Sequence, residues 1–451
     1  MPDGRIDGHF VITSNLSTSI QQELGLTEDD CKKMVSVWNA VRQELNNPSN
    51  YVIENSEGQS PTQDNNYNVS VGAVVKFSQD CWQRIVDLVN DALGKNIKAE
   101  KPLANSLEEI PQQDQYNTRD ARNLDISHLN LSKEELLGLT IDETTVLSEA
   151  QKTILTPVME NMKDPGLNIR SLHERGITGK GTRIAIIDSA INPNHKEFSS
   201  KVIANENFST SKEGTYHGNV VSSVAVGDEC GIAPEAELAF YSASTLSEHA
   251  KAIERIIQQN EEYKRNGEPT ISVISISCGF DTCDDYSETN YAMLRDVIAK
   301  AKESGLTIIT CDTKEEYANF GAADRNPELN PNDPTSYRAN RFYMDGEYWL
   351  SETSDEVKQK TIFIPADHRT VANEDNDYRY EGNFGGTSWT APYIAGVFAL
   401  AKQVKPDITY EDFQEVMLET ANNIYNEYNG KNVYMGRLIN PEAIINAIQI
   451  R

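Results

Sequence analysis

Residues 183–188 read Arg-Ile-Ala-Ile-Ile-Asp, a run of four apolar residues that ends in an aspartate. A short apolar run rich in β-branched residues predicts a strand that is buried on both faces. Helical stretches at residues 246–265 and 287–304 are interspersed with further runs of this kind. Those runs lie at residues 238–241, 271–277, 306–311 and 361–364. Strands that alternate with helices predict an α/β fold, doubly wound, with a mostly parallel sheet covered by helices on both faces.

The chain has 451 residues, a length that favours two domains. Before the doubly wound region, the pattern predicts a small α+β domain over residues 1–100. Its elements lie at residues 26–47 (helix), 48–68 (loop), 69–77 (strand) and 81–93 (helix). Residues 101–165 are polar and poorly periodic, which predicts a linker, and the doubly wound domain follows over residues 166–451.

Composition excludes several classes of partner. The formal charge of −28 disfavours binding to nucleic acid and to anionic membranes. No apolar run is long enough to span a bilayer, and residues 1–5 lack the start of a secretory signal, so we expect a cytoplasmic protein. The six cysteines have the spacing of neither a zinc module nor a disulfide framework. They are predicted to be free thiols in a reducing compartment, with a Cys278–Cys283 bridge as the alternative under oxidation.

Two polar residues stand where a parallel sheet gathers its functional groups, beyond the carboxyl ends of the strands. Asp188 ends the first apolar run, and an ionised aspartate there is costly to desolvate unless it has a partner. Capping of the following turn is the alternative role. His217 lies between glycines at the start of a short apolar helix, which would present its ring to a cleft. The alternative is a histidine that is simply hydrogen-bonded in the core.

Ser388 stands at the start of a thoroughly apolar helix, after Gly-Gly-Thr. Unpaired backbone N–H groups and the positive end of the helix dipole suit a developing oxyanion at this position. The glycines before it let a substrate backbone approach closely. An ordinary serine N-cap is the alternative. A serine hydroxyl becomes a nucleophile when a base removes its proton and a third group orients that base. Asp188, His217 and Ser388 supply these three roles.

With their surroundings, the three motifs resemble those of the subtilase family of serine proteases. The order Asp, His, Ser is that of subtilisin and differs from the order in chymotrypsin and the α/β-hydrolases. The similar segments are residues 176–198 around the aspartate, residues 216–227 around the histidine, residues 230–234 (Cys-Gly-Ile-Ala-Pro) and residues 385–400 around the serine. The resemblance covers residues 166–451 and implies a serine endopeptidase that forms an acyl-enzyme.

The resemblance also implies roles for individual residues. Asp188 would orient the base, His217 would be the general base and acid, and Ser388 the nucleophile. Ser277, Cys278 and Gly279 match the segment that pairs with extended substrate backbone, so affinity would come largely from main-chain hydrogen bonds.

Further positions follow from the same resemblance. His195 falls at a structural histidine of the family. No cofactor and no metal ligand is required for the chemistry. Structural calcium is an expectation from the family alone, because the sequence has no D-x-[DN]-x-[DN]-G loop.

The sequence departs from the family pattern at several positions. Ser189 stands where glycine is usual, Asn219 where threonine is favoured and Trp389 where methionine is common. None of these changes removes a member of the triad. The family's oxyanion asparagine, in an Ala-Gly-Asn motif, is missing after the strand at residues 306–311. Asp312, as a protonated carboxyl, and Asn319 are the two candidates for that donor.

The resemblance implies a proenzyme. The N-terminal domain would act as an intramolecular inhibitor that is removed by autoprocessing within residues 101–165. A protein or peptide is then the expected substrate. Asp281, Asp284 and Asp285 either attract basic side chains of that substrate or form a solvated acidic loop. The alternative function is a pseudoprotease that binds peptides or regulates, since the oxyanion motif is missing. An esterase of the α/β-hydrolase type is disfavoured by the Asp-His-Ser order and the absence of Gly-x-Ser-x-Gly.

Overall fold

The computed structural model describes residues 51–54, 74–77, 103–112, 118–211, 214–280, 283, 285–311, 319–340, 353–382 and 385–451. The chain divides into two compact units, Met1–Pro102 and Leu103–Arg451.

The described part of the first unit is a two-stranded antiparallel sheet. Strand β1 (Tyr51–Glu54) pairs with β2 (Val74–Phe77). Strand β2 lies within the strand predicted at residues 69–77. Strand β1 lies where a loop was predicted, and that prediction was wrong because Tyr-Val-Ile is a run of strong strand formers inside the polar segment. The helices predicted at residues 26–47 and 81–93 lie outside the described residues.

The second unit contains the predicted alternation of strands and helices. Its strands are β3 (Arg119–Asp120), β4 (Leu139–Asp142), β5 (Arg183–Asp188), β6 (Val202–Asn207), β7 (Glu237–Ser242), β8 (Ile271–Ile276), β9 (Thr307–Thr310), β10 (Asn319–Arg325), β11 (Tyr337–Ala339), β12 (Thr361–Pro365), β13 (Arg369–Ala372), β14 (Tyr378–Glu381), β15 (Asn422–Tyr428) and β16 (Lys431–Leu438). Its helices are α1 (Lys133–Leu137), α2 (Glu149–Asn161), α3 (Ile169–Glu174), α4 (Tyr216–Val226), α5 (Leu246–Asn266), α6 (Glu288–Glu303), α7 (Asp355–Lys360), α8 (Thr390–Val404), α9 (Tyr410–Thr420) and α10 (Pro441–Ile450).

A five-stranded parallel sheet forms the centre of this unit, in the order β6-β7-β5-β8-β9. Strand β5 lies in the middle, and all six of its residues are buried. Because side chains alternate along a strand, Ile184 and Ile186 enter one core cluster while Ala185 and Ile187 enter another. This explains why the sequence of β5 is continuously apolar.

Helices cover both faces of the sheet. Helices α4 and α8 contribute to the first core cluster, and α5 and α6 contribute to the second. The predicted doubly wound α/β fold is therefore confirmed, and the predicted strands and helices of this region match the observed ones to within about two residues.

Two further sheets extend the unit. One is five-stranded, in the order β11-β10-β12-β16-β15, and mixes parallel and antiparallel pairs. The other is four-stranded, in the order β13-β14-β4-β3. In this second sheet, β4 from the segment predicted as a linker pairs antiparallel with β14, which directly precedes the serine motif.

The prediction of a linker over residues 101–165 is wrong for the part that the structure describes. From Leu103 onward this segment belongs to the second unit and has its own core cluster, which includes Leu136, Ile141 and Leu155. Its polar composition is misleading because its helices are short and half exposed, and capping boxes at Ser132 and Ser148 fix where α1 and α2 begin.

Candidate active site

Asp188 and His217 meet at the carboxyl edge of the central sheet. His217 is the second residue of α4, and its Nδ1 lies 2.6 Å from Oδ1 of Asp188. The Asp188 side chain is 4% exposed, whereas that of His217 is 34% exposed. The backbone N–H of Ser189 also donates to Asp188 Oδ1, at 2.8 Å. A buried carboxylate thus fixes the orientation of an accessible imidazole through its Nδ1.

The residues after His217 lock α4 in place. A Cβ on Gly218 would lie 2.3 Å from the carbonyl oxygen of Ala190, so a larger residue does not fit there. The Asn219 side chain accepts from the backbone N–H of Asn192 at 2.8 Å and donates to the carbonyl of Asn373 at 2.7 Å. Asn219, where threonine is usual, therefore ties the histidine helix to two loops.

Ser388 lies in a short turn of 3₁₀ helix, Thr387–Trp389, that runs directly into α8. Gly386 before it has φ of 61°, a conformation that favours glycine. A Cβ on Gly385 would lie 2.2 Å from the backbone of Ala366, and its N–H donates to the Asp367 carboxylate at 2.8 Å. Gly385 thus packs the serine turn against the residue that follows β12, and Gly386 supplies the backbone conformation of the turn.

The segment after β8 links the serine to the histidine. Ser388 Oγ donates a long hydrogen bond, 3.4 Å, to the carbonyl of Ser277. Ser277 and Cys278 line a cavity of about 550 Å³ that Asp188 and His217 also line. The structure therefore places Asp188, His217, Ser277 and Cys278 around one cavity, and Ser388 contacts that lining through Ser277.

The two oxyanion candidates fall in different places. Asp312 lies outside the described residues. Asn319 is the first residue of β10, four positions before Ala323, whose carbonyl accepts from the N–H of Asp367 at 3.2 Å. Four residues of strand span about 13 Å. Asp367 also binds Gly385 of the serine turn. Asn319 therefore lies about 13 Å along β10 from Ala323, the residue through which this strand contacts Asp367.

Two buried ionic groups near the site escaped sequence reasoning. Glu381 is fully buried, pairs with Arg379 at 2.5 Å and accepts from the hydroxyls of Thr140 and Tyr216 at 2.7 and 2.8 Å. Tyr216 is the residue before His217, so this network supports the histidine helix. Opposite charges two positions apart in a strand share one face, which is the signal that could have revealed the pair.

The second buried group is Asp324, which lies 2.6 Å from Nδ1 of His368 and 2.7 Å from Arg338. Burial raises the pKa of Asp324, but the hydrogen bond from His368 and the two neighbouring positive groups outweigh it, so this pKa lies below its usual range. His368 adjoins Asp367, which binds the serine turn.

Two further predicted residues, His195 and Asp285, have structural roles. His195 is buried, and its Nε2 lies 3.0 Å from the carbonyl of Asp377, as expected of a structural histidine. Asp285 accepts from the backbone N–H groups of Leu246 and Ser247 at 2.7 and 3.1 Å, so it caps α5. Asp281 and Asp284 lie outside the described residues.

The cavity also holds a cluster that the sequence did not predict. Within the described ranges, His249, Cys278 and Cys283 are the one group of three His, Cys, Asp or Glu side chains whose ligand atoms converge, all within 4.8 Å of one another. Burial lowers the pKa of His249. A hydrogen bond with Cys283, together with burial, raises the pKa of the Cys278 thiol.

The family model described as "Subtilase family" matches residues 179–436, more than half of the chain. The chain belongs to the subtilase family. This subtilase is 24% identical over 337 residues to the thermostable alkaline protease of Halalkalibacterium halodurans, a match that covers 72% of this chain and 85% of that protein. It is 24% identical over 328 residues to the M-protease of Shouchella clausii, with 70% and 78% covered.

A solved structure, that of the prenylagaramide maturation protease PagA, is 18% identical and aligns with a TM-score of 0.42 over 62% of this chain and 98% of that one. As a subtilase with serine proteases among its relatives, the protein is a serine protease. Among the residues that the structure describes, no helix of this subtilase has the length and apolar character to cross a membrane.

Proposed function

We propose that this subtilase is an endopeptidase in which Asp188, His217 and Ser388 form the catalytic triad. The observation that carries the proposal is the 2.6 Å contact between Asp188 and Nδ1 of His217, two residues that line the cavity. Ser388 donates to the carbonyl of Ser277, which lines the same cavity. His217 Nε2 takes the proton of the serine hydroxyl as Ser388 Oγ attacks the scissile carbonyl carbon. Asp188 holds the tautomer and stabilises the imidazolium that forms.

The same histidine then returns the proton to the leaving amine, and an acyl-enzyme remains on Ser388. Water, deprotonated by His217, releases the second product. The peptide is held in extended form along residues Ser277, Cys278 and Gly279, through main-chain hydrogen bonds.

Asp312 is the proposed side-chain donor to the oxyanion, together with the backbone N–H groups at the start of α8. The support is topological: Thr310 pairs with Ile276, so the chain leaves β9 beside Ser277, the residue that contacts Ser388. Asp312 follows two positions later. Replacement Asp312→Ala should lower kcat by about 100- to 1,000-fold, whereas Asn319→Ala should leave it unchanged. Equal losses in the two variants would contradict this assignment.

The decisive experiment labels the purified full chain with a fluorophosphonate probe and compares it with Ser388→Ala by intact mass. We expect a single adduct on the wild type and none on the variant. If neither chain is labelled and neither hydrolyses a peptide library, the protein is a pseudoprotease that uses the same cavity for binding or regulation.

The first unit is proposed to be an intramolecular inhibitor that autoprocessing removes. The support is the family resemblance and the division of the chain at Pro102 and Leu103. Because residues from Leu103 onward are part of the catalytic unit, cleavage is expected near this division and not within the later part of residues 101–165. Intact mass should show the wild type cut near residue 102 and Ser388→Ala whole. A mature N-terminus after residue 118 would contradict the proposal.

We further propose that the enzyme acts in a reducing compartment such as the cytoplasm. The support is that the four cysteines of the described residues, Cys230, Cys278, Cys283 and Cys311, are free thiols. Acid quenching of cells followed by alkylation and mass analysis should find all four modified. Isolation of the chain with Cys278 bridged to Cys283 would contradict this location.

A further inference from the structure

The geometry around His249, Cys278 and Cys283 is that of a metal site. His249 Nε2 lies 3.5 Å from Cys278 Sγ, and the three ligand atoms lie within 4.8 Å of one another. Around a tetrahedral zinc ion, with Zn–N and Zn–S bonds of about 2.0 and 2.3 Å, the N···S separation is about 3.6 Å and the S···S separation about 3.8 Å. The separation of His249 from Cys278 therefore matches a zinc site, and the 4.8 Å limit on the other two pairs is compatible with one.

The orientation of His249 agrees with this spacing. Its Nδ1 lies 2.6 Å from the carbonyl oxygen of Thr245, so Nδ1 carries the proton and donates it there. Nε2 then faces the sulfur with its lone pair. Histidines that bind metals almost always donate their other N–H to a carbonyl or carboxylate in this way, which fixes the tautomer that coordinates. Without a metal, the same contact is a hydrogen bond from the Cys278 thiol to the imidazole.

We propose that His249, Cys278 and Cys283 bind Zn²⁺ and that the bound ion inhibits the peptidase. Three protein ligands leave a fourth coordination position, which open zinc sites fill with water or a substrate group. All three residues line the cavity shared by Asp188 and His217. A zinc ion there lies in the space that a substrate needs.

Two physical effects make the ion inhibitory, and both rest on the proposed catalytic roles. Coordination fixes Cys278, the centre of the segment proposed to pair with substrate. The divalent charge also lies in the cavity that Asp188 lines. A bound cation is the largest charge in its surroundings, so it competes with the His217 imidazolium for the stabilisation that Asp188 supplies.

Metal binding is tested apart from catalysis, on the full chain carrying Ser388→Ala under a non-thiol reductant. Titration with Co²⁺ should give the near-ultraviolet charge-transfer band of thiolate coordination, and Zn²⁺ should displace it. Adding Cys283→Ser or His249→Gln should weaken Zn²⁺ binding by at least about 100-fold. His128→Gln, which changes an exposed histidine, is the matched control and should bind as the parent does. A missing thiolate band, or equal affinity in all variants, overturns the site.

Inhibition is tested with catalytically competent chains, each compared with its own zinc-free rate, at constant calcium. Free Zn²⁺ that saturates the site should abolish peptide hydrolysis by the wild type and by His128→Gln, and a zinc-selective chelator should restore it. Hydrolysis by Cys283→Ser should resist the same concentration. If zinc inhibits all three chains equally, the ion acts at the triad and the inhibitory role is wrong.

The remaining outcomes keep the two proposals distinct. If the wild type does not hydrolyse peptides even in the absence of zinc, the proposed peptidase activity is wrong. The cobalt titration still decides whether the metal site exists. If the wild type binds zinc only after reduction of a bond between Cys278 and Cys283, and the isolated protein carries that bond, the pair is a disulfide in the native protein and the zinc proposal fails.

Discussion

Replacement of Thr140 by valine tests whether residues 103–165 are part of the catalytic unit. Thr140 is 1% exposed in β4, and its hydroxyl donates to the fully buried carboxylate of Glu381 at 2.7 Å. Valine has nearly the same shape but no donor. The loss of a hydrogen bond to a charged group costs about 1.5–3 kcal/mol, so we expect the free energy of unfolding to fall by that amount. Hydrolysis should be unchanged, because Glu381 keeps its bonds to Tyr216 and Arg379.

The assay is urea unfolding of the full chain on the Ser388→Ala background, which prevents self-cleavage during the measurement. The midpoint should fall while the slope stays constant, because the surface exposed on unfolding does not change. Thr153→Val is the matched control: its exposed hydroxyl bonds only the carbonyl of Glu149, and its effect should be below about 0.5 kcal/mol. An unchanged midpoint for Thr140→Val, or equal shifts in both variants, would refute an integral role for this segment.

Three further predictions follow from single contacts. Asp188→Asn should lower kcat by about ten-thousandfold in a fluorogenic peptide assay, because the amide does not hold the required histidine tautomer; a loss of less than about tenfold would argue against the triad. Asp324 has a lowered pKa in the folded chain, so the stability it contributes is complete above its unfolded pKa of about 3.9 and is lost as the pH falls through the lower folded value. The stability difference between wild type and Asp324→Asn should therefore be present at pH 7 and disappear in acid; a constant difference would contradict it. Gly396→Ala would put a Cβ 2.5 Å from Cβ of Ile232, so the free energy of unfolding should fall by about 1–3 kcal/mol in thermal unfolding. Gly214→Ala, whose Cβ would meet no atom within 4 Å, is the control and should cause no measurable change.

Four strands of the central sheet, β5, β7, β8 and β9, could be predicted from the sequence because they are largely buried on both faces. Strand β6 was not predicted, because its residues are partly exposed and mixed with polar ones. In β5, every residue is buried, so the apolar signal is continuous and the strand boundaries can be read from it. The half-buried segment around β4 lacks such a signal. Its strand has four residues, and its partner β14 lies more than 200 residues later, so neither periodicity nor local turn chemistry reveals the pairing.

The residues of the candidate site also differ in whether local sequence reveals them. His217 and Ser388 begin helices after glycine turns, and local sequence shows that. The His249 cluster could not be predicted, because its members come from α5 and from the segment after β8, and only the sheet brings these together. The Cys-x₄-Cys spacing occurs in zinc sites, but it does not identify one without a second pair of ligands at a matching spacing in the sequence. The role of Asp285 as a cap of α5 could not be predicted either, because the N–H groups that donate to it, those of Leu246 and Ser247, lie almost 40 residues earlier.

The pairing of β4 with β14 also constrains how the chain can mature. Strand β14 ends at Glu381, and Gly385 and Ser388 follow within seven residues, so β4 flanks the strand that leads to the serine turn. Removal of β4 would leave a strand edge unpaired, expose Tyr380, and take from Glu381 the hydroxyl of Thr140. A cut after β4 would thus weaken the support of Tyr216 and the adjacent histidine helix. A cut near residue 102 costs none of these contacts, so the proposed processing is expected at the division between the two units.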